Sequence, residues 1–169
     1  MLIIFEGPDN VGKTTQIELL RNYFAKKGKP FIITKSSNYK NVTPEEHKKL
    51  CIKEYKTIFN LGKTIDIIAD RLHGGEYVYG PIYRGYDGNY VFNFENHKSF
   101  LIVLIDNPEN LIKRDDGLSF STDYNKKKLE IEKFKEFYEK SFIENKILIN
   151  IEGRSINEVF EIIKNFIEK

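Results

Sequence analysis

The residues best placed to do chemistry stand almost at the start of the chain. Gly7-Pro8-Asp9-Asn10-Val11-Gly12-Lys13-Thr14 has the spacing G-x-x-x-x-G-K-[ST], in which the backbone can wrap so that several N–H groups face one anion. A helix beginning at the loop's end adds its positive pole, Lys13 reaches the terminal phosphates of a nucleotide, and Thr14 offers an oxygen to a magnesium ion. The loop residues Gly7, Asn10, Val11, Gly12, Lys13, Thr14 and Thr15 are therefore the expected nucleotide contacts. A second GKT, Gly62-Lys63-Thr64, has Thr57 where the earlier glycine would stand, and is a decoy.

The second constellation is IIADRLHGGEYVYGPIYRGY, residues 67 to 86. Asp70 ends an apolar run, where a carboxylate can reach magnesium beside the phosphate loop. Arg71 follows at once and can grip a second phosphate with two parallel hydrogen bonds. Asp106, ending FLIVLID, is a rival for the magnesium, without a neighbouring phosphate-gripping residue. The chain has 22 lysines but only five arginines, Arg21, Arg71, Arg84, Arg114 and Arg154. Lysine serves general solubility here, so arginine marks places where planar, two-pronged recognition matters. For His73 and Glu76 a place in an acceptor pocket and a role in the turn after the strand stay open. Tyr77 reads as packing, and Cys51 as a buried small hydrophobe rather than a nucleophile.

These residues need elements to hold them. Hydrophobic periodicity predicts strands at 2–6, 30–35, 64–69, 100–106 and 147–151, and helices at 14–28, 44–61, 108–114, about 125–143 and 155–168. Thr43 is the expected N-cap of the second helix, with Pro44 at its first position. Asp66 falls inside the third expected strand, where a buried carboxylate would need a partner. The segments 86–90 and 115–123 read as loops. Strands alternating with helices of this length predict an α/β fold with a parallel sheet covered on both faces.

Length and charge narrow the function. The 169 residues suit one domain, and 27 basic against 25 acidic residues leave a formal charge of only +2, which disfavours a stable nucleic-acid partner. One cysteine excludes an internal disulfide and a cysteine-rich metal site. No apolar run approaches the ~20 residues that span a bilayer, so no membrane partner and a cytoplasmic location are expected. The base-reading N-K-x-D of GTP switches is missing: Asn125-Lys126-Lys127-Lys128 and Asn145-Lys146-Ile147-Leu148 both lack the aspartate. A small phosphate-transferring enzyme is the leading class.

FEGPDNVGKTTQ followed by DRLHGGEYVYGPIYRG resembles the thymidylate kinase family of P-loop nucleoside monophosphate kinases, especially its compact phage-type deoxynucleoside monophosphate kinases. IVLIDNPENLIKR is similar to that family's fourth strand and the helix leading into its lid. The resemblance implies a three-layer fold with a five-stranded parallel sheet, one domain over residues 1–169, and a short lid around 114–128. It implies transfer of the γ-phosphoryl of ATP, with Mg2+, to a deoxynucleoside 5′-monophosphate, dTMP first among them. Asp9 would then contact the acceptor's 3′-hydroxyl, Arg71 its phosphate, and Asp70 the magnesium. Tyr79, nine residues after Asp70, would lie beneath the sugar's 2′ carbon, while Glu76, Tyr83 and Arg84 would line the acceptor site. Where some members carry an arginine after the loop aspartate, this chain has Asn10. The lid offers Arg114 at its edge and Lys126, Lys127 and Lys128, and Arg114 is the expected transition-state cation. The family's thymine-reading helix is not plainly matched before residue 64. The resemblance is compatible with a homodimer, and with the host cytoplasm for a phage protein. Two alternatives stand beside it, a nucleoside or polynucleotide 5′-kinase and a non-catalytic ATP-binding module.

Overall fold

The computed structural model describes residues 1–36 and 38–169. Five strands, β1 (Leu2–Glu6), β2 (Ile32–Lys35), β3 (Ile67–Asp70), β4 (Phe100–Ile105) and β5 (Asn145–Asn150), form one sheet in the order β2-β3-β1-β4-β5. All four pairings are parallel. The central strands are apolar on both faces because both are covered: every residue of β1 and β3 is buried.

The helices are α1 (Lys13–Lys26), α2 (Pro44–Leu61), α3 (Gly74–Tyr79), α4 (Pro108–Lys113), α5 (Tyr124–Lys140) and α6 (Ile156–Ile167). Helix α1 packs with α6, whereas α3 and α4 pack on α5. Thr43 caps α2 as expected, in a reciprocal box with Glu46. Past α1 the chain turns at Gly28, whose φ of 72° is the left-handed conformation a glycine adopts without strain. Among the described residues, no helix is long and apolar enough to cross a membrane.

Two expectations about the third strand change. It begins at Ile67, not at residue 64, because residues 62–65 fold back on the end of α2 through bonds from Gly62 to Ile58 and from Thr64 and Ile65 to Leu61. Asp66 therefore lies outside the strand, half-exposed, and pairs with the N-terminal ammonium at 2.6 Å. That pair is the partner the sequence did not reveal. The structure also adds the short helix α3 and a π-helical turn over Gly80–Arg84, where sequence periodicity is too brief to register. The lysines expected in the lid belong to the first turns of α5, which starts at Tyr124 with Asp123 as its cap.

The topology sets where a ligand can sit. Strand β1 lies between β3 and β4, so the chain leaves its carboxyl end at a point where successive connections diverge. Gly7 stands there with a φ of 140°, and a Cβ on it would collide with the Leu104 carbonyl oxygen of β4. Only glycine passes that gap.

Candidate active site

The register of β1 and β3 sets Phe5 beside Asp70, so the phosphate loop and the DR dipeptide leave the sheet side by side. A cleft of about 460 Å³ opens above them. Thr14, on the first turn of α1, donates its hydroxyl to Asp70 Oδ2 at 3.2 Å. These two oxygens are hard donors of the kind magnesium prefers, and their proximity fits a shared ion. The rival Asp106 is engaged elsewhere. It is buried, accepts from Asn107 and Asn110, and pairs with Arg114 at 2.8 Å.

Lys13 folds over its own loop and donates to the carbonyls of Gly7 (2.9 Å) and Pro8 (2.6 Å). Burial and the nearby Arg71 charge lower its pKa to about 7, against the opposing pull of Asp9, Asp70 and Glu6. Val11 turns its side chain into the core, leaving its backbone to the loop, and Thr15 is exposed on the first turn of α1. Asn10 adopts a φ of 64° and its amide donates to Asp115 at 3.1 Å, tying the phosphate loop to the segment that follows α4.

Arg71 is the centre of the second half. Its guanidinium pairs with Asp9 and donates to the Tyr79 hydroxyl at 2.9 Å. Burial alone would lower its pKa, but the Tyr79 and Asp9 oxygens outweigh it and hold the charge firmly. Its backbone is strained, with a φ of 64°. The strain is held from below by Glu6, a buried carboxylate that ends β1. Glu6 Oε1 accepts from the backbone amides of Leu72 (2.9 Å) and Gly74 (2.8 Å). A Cβ on Gly74 would collide with this carboxyl group and with Phe137. A charged residue closing an apolar strand was the signal for Glu6, since it must find donors.

The remaining expected residues divide. Tyr79 lines the cleft, with Phe134 edge-on to its ring and Phe120 4.9 Å away. Tyr83 sits behind Phe120, stacked on it at 5.0 Å, and donates to Glu130. Arg84 and Glu76 both line the cleft and pair at 2.8 Å. Arg114 lines it from the end of α4 while held by Asp106. His73 is out of the pocket: it is fully buried and pairs with Glu95 at 2.8 Å. Tyr77 packs on Phe92 and Phe137, as its sequence context suggested. Lys127 is buried against Glu130, so its charge does not face the cleft. Cys51 is buried, its thiol pushed up to about 12 by burial and Glu76, and is no nucleophile.

Sequence reasoning missed the contribution of α2. His47, Cys51 and Tyr55 recur at four-residue spacing and face the cleft beside Glu76 and Arg84. The spacing was visible; that one stripe would look into the cleft was not.

No family profile matches the chain. The fold is nevertheless shared with solved structures. The YorR protein of Bacillus subtilis, solved with phosphorylated GDP, aligns at a TM-score of 0.71 and 20% identity, over 99% of this chain and 96% of that one. The thymidylate kinase of Candida albicans, described as having broad substrate specificity, aligns at 0.72 and 16%, over 99% and 90%. The thymidylate kinase of Ehrlichia chaffeensis aligns at 0.67 and 17%, over 97% of both chains. The five-stranded parallel sheet flanked by helices is thus a thymidylate kinase-like P-loop fold.

Proposed function

We propose that the protein is a nucleotide kinase that transfers the γ-phosphoryl of ATP to a deoxynucleoside 5′-monophosphate, with dTMP among its acceptors. The observation that carries this reading is that two groups of side chains suited to phosphate meet in one cleft. Lys13, Thr14 and Asp70 form one, and the Arg71–Asp9–Tyr79 group forms the other, joined across adjacent strands. The likeness to thymidylate kinases and to a protein that holds a phosphorylated guanine nucleotide supports the same reading.

In this reading the loop amides and Lys13 hold the donor's phosphates, and Thr14 with Asp70 would hold Mg2+, which neutralises charge on the transferring group. Arg71 binds the acceptor phosphate in line with the donor. Asp9, one of whose oxygens is buried without a partner among the described residues, accepts the 3′-hydroxyl. Tyr79 fills the space beneath the sugar's 2′ carbon, which rejects a ribose hydroxyl. Arg114 leaves Asp106 to stabilise the transition state. Positioning and charge neutralisation suffice, and no general base is required.

The test is ADP release from ATP and magnesium against dTMP, dUMP, dGMP, dCMP, dAMP and their ribose forms. Turnover with deoxy monophosphates and little with ribose forms supports the reading. ATP binding without stimulation by any monophosphate would overturn it in favour of a non-catalytic module.

A further inference from the structure

Helix α2 turns two side chains with metal-ligand chemistry toward the cleft. His47 and Cys51 stand four residues apart, about one helical turn, so they share a face. Cys51 Sγ lies 3.4 Å from His47 Nδ1. Glu76, from α3, brings Oε1 to 3.7 Å from the same nitrogen. One ligand atom from each of the three residues falls within 4.8 Å of both others. All three residues are buried, yet all three line the cleft, which gives an ion its path to them.

These separations are close to those of a tetrahedral metal shell. Zinc bonds of about 2.3 Å to sulfur and about 2.0–2.1 Å to nitrogen or oxygen put N and S about 3.6 Å apart and N and O about 3.4 Å apart. Both observed edges on Nδ1 agree to within a few tenths of an ångström. The protons can also be placed. His47 Nε2 is buried with no partner among the described residues, so the ring's one proton can sit there and leave the Nδ1 lone pair to a metal. Nδ1 then exchanges the Tyr86 hydroxyl, at 2.9 Å, for the ion, while Tyr86 keeps its bond to Glu76 Oε1. Oε1 yields the longer of its two tyrosine bonds, the one from Tyr90 at 3.2 Å. A coordinating dication displaces the thiol proton outright, even from a thiol that burial keeps protonated. Thiolate and carboxylate together then match its charge.

The surroundings choose among cations. Arg84 holds Glu76 Oε2 at 2.8 Å, and its positive charge works against an ion bound by electrostatics alone. Mg2+ moreover asks for near-octahedral oxygen ligands, whereas one sulfur, one imidazole nitrogen and one carboxylate oxygen suit zinc and its neighbours.

We propose that His47 Nδ1, Cys51 Sγ and Glu76 Oε1 form a binding site for one zinc-class divalent cation, with the fourth position open to the cleft. The site is distinct from the Thr14–Asp70 pair and does not depend on the kinase reading.

Cys51 is the chain's single cysteine, so a thiolate–metal signal has one source. The full chain is titrated with Co2+, a coloured stand-in for Zn2+, and the wild-type protein carrying one equivalent of Zn2+ is measured by X-ray absorption at the zinc edge. Cobalt should saturate at one ion per chain, with a thiolate-to-cobalt charge-transfer band in the near ultraviolet and the intense visible bands of tetrahedral cobalt. Zn2+ should bleach both, and a large excess of Mg2+ neither. Cys51→Ser should lose the charge-transfer band. The zinc edge should show one sulfur at about 2.3 Å among nitrogen and oxygen neighbours at about 2.0–2.1 Å. That measurement needs no variant, so a substitution that fails to fold does not remove the test. A zinc shell without sulfur, a charge-transfer band that survives Cys51→Ser, bleaching by Mg2+, or no binding of Co2+ and Zn2+ would each overturn the proposal.

Discussion

Arg71 donates to the Tyr79 hydroxyl at 2.9 Å, and this bond joins the group proposed to hold the acceptor phosphate to the ring proposed to screen its sugar. The two roles can be separated. Tyr79→Phe keeps the ring but removes one of the two partners that brace Arg71, so the KM for the monophosphate should rise about fivefold, the worth of ~1 kcal/mol, with the preference for deoxy over ribose forms intact. Tyr79→Ala should erode that preference. If Tyr79→Phe itself admits ribonucleotides, the ring does not screen the sugar.

Arg71→Ala should chiefly impair use of the monophosphate, because the cation that faces the acceptor is lost and the part-buried Asp9 is left unpaired. The KM for the acceptor should rise while affinity for ATP changes little, and Arg71→Lys should restore little, since an ammonium cannot reproduce a two-pronged contact. Undiminished activity in Arg71→Ala would remove the acceptor assignment.

Arg114 sits half-exposed at the cleft's edge, held by the fully buried Asp106. If it is the transition-state cation, Arg114→Ala should lower kcat by roughly 10³-fold, the lower range for such arginines, with small changes in both KM values. A drop in affinity at constant kcat would assign it to binding instead.

How much of this was legible depended on the range of the interaction. The phosphate loop is contiguous, so the spacing of Gly7, Gly12, Lys13 and Thr14 was enough, and the alternation of apolar runs with amphipathic ones led to the parallel sheet. Asp70 and Arg71 could be named because they adjoin a strand end. The pairings in and around the cleft were not readable, because they cross long separations: Asp9 with Arg71, Tyr83 with Glu130, Asn10 with Asp115. The α2 stripe escaped for a related reason, since four-residue spacing says which residues share a helix face but not what that face meets. Asp66 misled because the strand boundary was set too early, and a strand edge is decided by the local competition between helix end and sheet.

Glu6 illustrates a residue whose value lies in the backbone it holds. Glu6→Ala leaves the amides of Leu72 and Gly74 buried without their acceptor, at a cost of about 1–3 kcal/mol for each donor. Urea unfolding should show this loss. Glu6→Gln retains an acceptor oxygen and should recover most of the stability. A Glu6→Ala protein as stable as wild type would mean that the turn bearing Arg71 is held by something else.

The depressed Lys13 gives a pH signature that no neighbouring group should mimic. Its pKa falls from the ordinary lysine value of 10.5 to about 7 in the folded chain. Between these values the unfolded chain binds a proton the folded chain lacks, so stability should rise with pH from about 7 to about 10, and the full penalty applies below that window. Phosphates entering the loop would favour the charged amine. ATP binding should therefore take up close to one proton at about pH 8, and affinity should fall as pH climbs through the same window. Calorimetry in buffers of different ionisation enthalpy measures that uptake directly. Lys13→Met should abolish both the uptake and the slope of stability, along with turnover. Equal proton uptake in wild type and Lys13→Met would show that Lys13 is not the group meeting the phosphates, because only a lysine that regains its charge on binding can make the two proteins differ.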